Sequence, residues 1–336
     1  MQTHFRQLNI NLGSDTIRNY KITALCLCTI IGAGFATGRE LVTYFVSYGI
    51  TGFVTMLTAS VLFAIIIHKT MLISCNTIDE LLAPYPFNKV MLIIIELFLL
   101  VLYSSMLSAG GEIIHTIFNL KKVYGAVITA LITMLIIKRG YSSITDLSEV
   151  LFIPIVIIIF IICITTTEHS IGIPSATIIT PKAILAPFIY VSYNMLTTIP
   201  LLISIPDKYL YRSCGNQVGI VIFMLSTMLI LPLYTHYSSI ADSPLPLMNI
   251  LNGTIKYLYE VLLVLAILTT AVSSAYSICS SVKFISYGKG IWLFTALALI
   301  ISGFGFTNIV NKVYFIFGTS GIILLLIVLS RDKKTA

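Results

Sequence analysis

Ile31-Gly32-Ala33-Gly34-Phe35-Ala36-Thr37-Gly38 lies inside the first apolar run of the chain and carries three glycines in seven residues. Glycine inside a helix costs about 1 kcal/mol relative to alanine. In lipid, a melted turn also leaves backbone groups with no water to bond. Such a break persists where protein or a wet cavity covers it, and its half-helix ends point partial charges into the gap. Close helix packing through small residues would want the glycines on one face. Gly32, Gly34 and Gly38 are instead spread around the helix, so the stretch predicts a broken helix.

The surrounding composition sets the environment. The chain has 336 residues, 57% hydrophobic and 10% charged, with a mean hydropathy of +1.00. Soluble chains carry about 25% charged residues, so this is a polytopic membrane protein and the lipid bilayer is its first partner. The net charge of +7 is scattered singly between apolar runs and forms no stripe for a nucleic acid. Residues 1–19 lack the apolar core of a signal peptide and read as a cytoplasmic tail. Cys26 and Cys28 lie two apart on a helix and diverge; with Cys75, Cys163, Cys214 and Cys279 they show neither disulfide nor zinc spacing.

A spanning helix needs roughly 20 apolar residues. Ten segments qualify: about 20–46, 50–73, 89–118, 121–138, 145–166, 182–205, 214–238, 254–282, 289–303 and 308–330. With the amino terminus inside, 14 of the 20 Lys and Arg residues fall in cytoplasmic connections and 6 outside. That bias places both termini in the cytoplasm, leaving 331–336 as a cytoplasmic tail. Ten segments divide into 20–166 and 167–330, five helices each. The sixth then mirrors the first and should carry its own break. Its polar patch, Tyr190-Val191-Ser192-Tyr193-Asn194-Met195-Leu196-Thr197-Thr198-Ile199-Pro200, with Pro187 before it, is the candidate. Two interrupted helices at corresponding places point to a midplane site for a small-molecule solute.

Ile30 to Glu40, reading IGAGFATGRE from Ile31, resembles the first-helix signature of the YkvI-like bacterial membrane proteins. More distantly, Gly32-Ala33-Gly34-Phe35 is similar to the glycine-rich break of the amino acid–polyamine–organocation transporters. The resemblance extends over nearly the whole chain through its length, helix count, second polar patch and Thr/Ser-rich eighth segment. It implies an all-α leucine-transporter type of fold, with two inverted five-helix repeats, broken helices one and six, and a site between helices one, three, six and eight. It also implies a secondary transporter in the bacterial cytoplasmic membrane, working by alternating access. The alternative it implies is a ligand-sensing receptor of the germinant type, without net transport.

In that fold the amides of Gly32, Ala33, Gly34 and Phe35 would hold a solute carboxylate, as unpaired N–H groups at a helix start do. Tyr103, Ser104, Tyr193 and Asn194 are candidates to reach the same ligand, which is expected to be small and zwitterionic or anionic, such as an amino acid. Thr270, Ser273 and Ser274 offer a carbonyl and two hydroxyls on one helical turn. With carbonyls near Cys28 and Ile31 they resemble the sodium site of sodium-coupled members of the fold. The alternative is hydroxyls bonded to their own helix. Sodium is favoured over protons as coupling ion, and no cofactor is expected. Glu96 and Glu112 are the intramembrane acids that could carry coupling. Arg39 is a candidate to gate the outer side with an acid such as Glu112, the alternative being a reach to the headgroups, and Glu40 is expected to face elsewhere on the helix. His68, His115, His169 and His236 look interfacial. Neither a nucleotide loop nor a nucleophile–base arrangement points to an enzyme.

Overall fold

The computed structural model describes residues 19–166, 179–205, 208–243, 245–283 and 285–331, without the side chains of 209 and 306–315. The predicted tails (all but residues 19 and 331), the boundary at 167 and His169 lie outside the described residues. Among the described residues the chain is helical and no strand occurs.

The first membrane segment is three short helices. Helix α1 runs over residues 19–30, α2 over Ala33–Ala36 and α3 over Arg39–Tyr44. Then follow α4 (Thr51–Leu72), α5 (Ile78–Leu82), α6 (Asn88–Phe118), α7 (Lys122–Ile137) and α8 (Tyr141–Thr166). The second half holds α9 (Pro181–Ile203), α10 (Cys214–Thr235), α11 (Tyr237–Ile240), α12 (Pro246–Ile250), α13 (Thr254–Ser281), α14 (Tyr287–Ser302) and α15 (Phe306–Ser330). Helices α4, α6, α8, α9, α10 and α13 are long and apolar enough to span a bilayer. With the interrupted first segment and the apolar α7, α14 and α15, they account for the ten expected segments. The protein is a multi-pass integral membrane protein.

The glycine stretch breaks as expected, and it breaks twice. Ile31 N–H still reaches Leu27 O at 2.7 Å, but Gly32 N–H turns back to Ile30 O at 2.9 Å. Gly32 is extended, with φ −87° and ψ −172°, which ends α1 and starts α2. Gly38 then adopts φ +80°, a left-handed conformation that only glycine takes without strain, and caps α3.

The expected break in the sixth segment is absent. Helix α9 is continuous from Pro181 to Ile203, with Pro187 and Pro200 inside it. Each proline removes one helical N–H, yet a membrane helix tolerates this where neighbours satisfy the freed groups. Here the polar side chains bond along their own helix: Asn194 Nδ2 donates to Tyr190 O at 2.9 Å and Thr198 Oγ1 to Asn194 O at 2.9 Å.

Small residues set the tightest helix contacts. Gly215 and Gly219 lie one turn apart on α10, and a Cβ on Gly219 would sit 2.8 Å from Ser60 O and from Ala64 Cβ of α4. Helix contacts also recur when each segment is exchanged for the one five places along. The α6–α15 contact is answered by α13–α8, α4–α9 by α10–α3, and α14–α6 by α7–α13.

Two connections brace the ends of the bundle. On one side, the α11–α12 hairpin lies over the first segment: Leu247 N–H donates to Thr37 O at 3.2 Å, and Leu247 fills the space beside Gly38. On the other, α5 opens with Thr77-Ile78-Asp79-Glu80, a capping box. Thr77 Oγ1 accepts from Glu80 N–H at 3.3 Å, and Glu80 Oε2 accepts from Asn76 N–H at 2.8 Å. That second bond holds the Glu80 carboxyl below its usual range. Lys283 pairs with Asp79 at 2.9 Å, and Lys208 Nζ donates to the Cys75 and Ile203 carbonyls.

Candidate functional site

At the break, among the described residues, α1 ends with the carbonyls of Cys28, Thr29 and Ile31 receiving no backbone bond, and α2 begins with the amides of Ala33, Gly34 and Phe35 donating none. Opposed half-helix ends therefore face one gap, electronegative on one side and electropositive on the other. Helices α6, α9 and α13 close around it. The resulting cavity, about 20 Å³, is lined by Thr29, Ile30, Gly32, Ala33 and Gly34 from the break, and by Glu40 from α3. Phe98, Leu102 and Met106 of α6, Tyr193, Asn194 and Thr197 of α9, and Thr270 of α13 complete the wall. Segments one, three, six and eight thus meet where the fold resemblance implies. A space near 20 Å³ holds about one water-sized group.

Of the predicted solute residues, the structure gathers Gly32, Ala33, Gly34, Tyr193 and Asn194. It does not gather Phe35, whose side chain is buried outside the lining. Tyr103 and Ser104 are also elsewhere. Tyr103 Oη bonds Thr295 Oγ1 of α14 at 3.3 Å, and Ser104 Oγ donates to Leu100 O of its own helix at 2.6 Å. The depth along α6 was legible, but the cavity-facing stripe is Phe98, Leu102 and Met106, spaced four apart, and Tyr103 is one residue off it.

The ion-binding candidates are neighbours across the α1–α13 contact. Thr29 Oγ1 and Ser273 Oγ lie 3.0 Å apart, and Thr270 Oγ1 would be 3.0 Å from a Cβ on Gly32. Ser274 Oγ donates to the carbonyls of Thr270 at 2.7 Å and Ala271 at 3.2 Å, so that hydroxyl is engaged within its own helix. The Cys28 thiol turns away toward Ser148 O of α8, at 3.6 Å. Thr29, not singled out from the sequence, is the hydroxyl that bridges the break to α13.

The expected Arg39–Glu112 gate does not form. Arg39 Nη1 donates to the carbonyls of Ala241 at 2.7 Å and Ser243 at 3.2 Å, while Glu112 pairs with Lys122 at 2.6 Å. The left-handed turn at Gly38 swings Arg39 toward the α11–α12 hairpin. Glu112, near the C-terminal end of α6, finds the adjacent lysine of α7. Glu96 is half-buried on α6 and outside the cavity lining. A second, larger cavity of about 230 Å³ lies on the other side of α2, between α6, α12 and α13; Ala33 borders both, and Glu112 and Glu260 line the larger one.

Glu40 is the acid that sequence reasoning missed. Counted along an unbroken helix it points away from Gly34, but the turn at Gly38 brings it back. A Cβ on Gly34 would lie 2.1 Å from Glu40 Oε1, so only glycine there admits the carboxylate. Around it stand Tyr44, Tyr190 and Tyr193. Their rings contact one another with centroids 5.6 to 5.9 Å apart.

No protein-family model matches the chain. The chain is similar to the uncharacterized membrane protein YkvI of Bacillus subtilis (strain 168), 22% identical over 316 residues, covering 86% of this chain and 89% of that one. Among solved structures it is similar to Mhp1, a nucleobase-cation-symport-1 family transporter in a closed conformation. That match has a TM-score of 0.67 at 13% identity and covers 93% of this chain and 75% of the other. A Na+-coupled sialic acid symporter in an outward-open state matches with a TM-score of 0.61 at 13% identity, over 91% and 76%. A manganese transporter of Eremococcus coleocola matches with a TM-score of 0.58 at 11% identity, over 92% and 76%. The fold is of the leucine-transporter type, and the chain is similar to YkvI over most of the length of both.

Proposed function

We propose that this protein is an ion-coupled secondary transporter of a small solute, working by alternating access around the break in its first membrane segment. The observation that carries this reading is the gap at Ile31–Gly32, where opposed half-helix ends open on a cavity between segments one, three, six and eight. Unpaired amides and carbonyls at membrane depth are costly unless a ligand or water meets them. The amides of Ala33 and Gly34 suit a carboxylate, and Asn194 and Tyr193 suit polar groups beside it, which favours an amino acid as solute. The hydroxyl of Ser273, beside the free carbonyl ends of α1, supports sodium as the coupling ion. The inverted repeats are 20–166 and 167–330, supported by the contacts that recur five segments apart. The Lys and Arg bias supports cytoplasmic termini.

The test is ligand binding to the purified protein, read by thermal shift over a panel of amino acids and small amines, with and without sodium. A solute that binds the folded state raises the melting point by mass action. One solute should stabilise the protein only with sodium, and Ser273→Ala should remove the sodium effect. If nothing in the panel binds under either condition, the amino-acid assignment fails. A ligand-sensing receptor would bind at the same place without flux, and uptake into proteoliposomes separates the two.

A further inference from the structure

The small cavity has oxygen atoms that neither the carboxylate-binding amides nor the Ser273 sodium site uses. Glu40 is 6% exposed, Thr197 2% and Thr270 3%, and all three line the same space from different elements: α3, α9 and α13. Glu40 Oε2, Thr197 Oγ1 and Thr270 Oγ1 have no hydrogen-bond partner among the described residues. Three orphaned oxygens around one cavity are unusual, because buried polar atoms are otherwise almost always paired.

The charge balance points the same way. No ion pair to Glu40 occurs among the described residues, and the adjacent Arg39 is spent on the carbonyls of Ala241 and Ser243. A carboxylate at membrane depth is costly unless paired. Here the protein supplies the negative charge, two further oxygens and space for about one water-sized group, but no cation.

The geometry points to a subsite in which Glu40, Thr197 and Thr270 bind one monovalent positive charge, either an alkali cation or the ammonium head of the solute. This rests on the cavity being the ligand site, but not on flux, since a receptor would bind the same charge. It is distinct from the Ser273 position, which draws on the carbonyl end of α1. The coupling of Gly34 to Glu40 follows from it: the glycine makes room for the carboxylate.

The experiment is thermal shift and calorimetry on the purified full chain with no solute present. It titrates sodium, potassium, ammonium and methylammonium chlorides at constant ionic strength against choline chloride. Wild-type protein should be stabilised by at least one of these cations. In the Ser273→Ala background, which removes the sodium site proposed above, cation binding should persist; there Glu40→Gln should weaken it at least about tenfold, and Thr197→Val and Thr270→Val should each weaken it. A response confined to sodium or potassium identifies an alkali cation, and one confined to ammonium and methylammonium identifies a solute head group. Unchanged binding in Glu40→Gln would overturn the subsite, as would a wild type that responds to none of the four. The threonine variants keep side-chain volume, so they test the oxygens even if Glu40→Gln folds poorly.

Discussion

Single residues decide where this site lies, and Gly38 is the clearest case. Its φ of +80° is strained for any residue with a Cβ, and the left-handed conformation costs an L-residue roughly 1–2 kcal/mol. Gly38→Ala is therefore expected to lower the melting temperature and to misplace Glu40, weakening ligand and cation binding together. A variant with unchanged melting and binding would show that the turn at 38 is not needed. Tyr103 and Asn194 provide a matched pair. Tyr103→Phe removes a hydroxyl that bonds Thr295, away from the cavity, and should leave solute affinity within about twofold, whereas Asn194→Ala should cost about tenfold or more, near 1.4 kcal/mol. The reverse ranking in a binding titration would move the site back to the stripe that contains Tyr103. At this scale the glycines were legible because composition alone marks a broken helix. Glu40 was not, because its position depends on a backbone angle that no residue count supplies.

At the scale of elements, hydropathy foretold the segments well. It did not foretell continuity. Three glycines broke the first segment, while α9 stays whole with two prolines inside it and with Asn194 and Thr198 bonded to carbonyls of their own helix. Pattern reading counts helix-weakening residues but cannot see which of them the helix absorbs. The α4–α10 contact makes a prediction of its own. Gly219 meets Ser60 O and Ala64 of α4 closely enough that no side chain fits between them. Gly219→Leu should separate the two helices and lower the melting temperature by several degrees, and Gly288→Ala, where a Cβ meets nothing within 4 Å, should not. Equal effects of the two would mean that the close approach contributes nothing.

In the whole molecule, the cavity is small and both of its sides are braced. The α11–α12 hairpin holds α2 and α3 through Leu247 and Arg39. At the opposite end of the first segment, Lys21 of α1 bridges to Glu149 at 2.7 Å and Asp146 at 3.1 Å on α8. These pairs are partly exposed, so each contributes little to stability. Their position matters more, because alternating access requires α1 and α8 to part when the site opens toward Lys21. Lys21→Ala should bias the protein toward that state, and the native thiol of Cys28, buried at 0% exposure, should then react several-fold faster with a soluble maleimide. Bound solute should slow the reaction. No change in rate would place the moving contact elsewhere.

The proposed transport cycle centres on the break in the first segment. The most direct measurement is uptake of the stabilising solute into proteoliposomes of purified protein, with and without an inward sodium gradient. Accumulation above equilibrium is expected with the gradient, equilibration alone without it, and loss of both in Asn194→Ala. Binding of the solute with no uptake under any gradient would contradict that cycle, and would mark the protein as a receptor built on a transporter's fold.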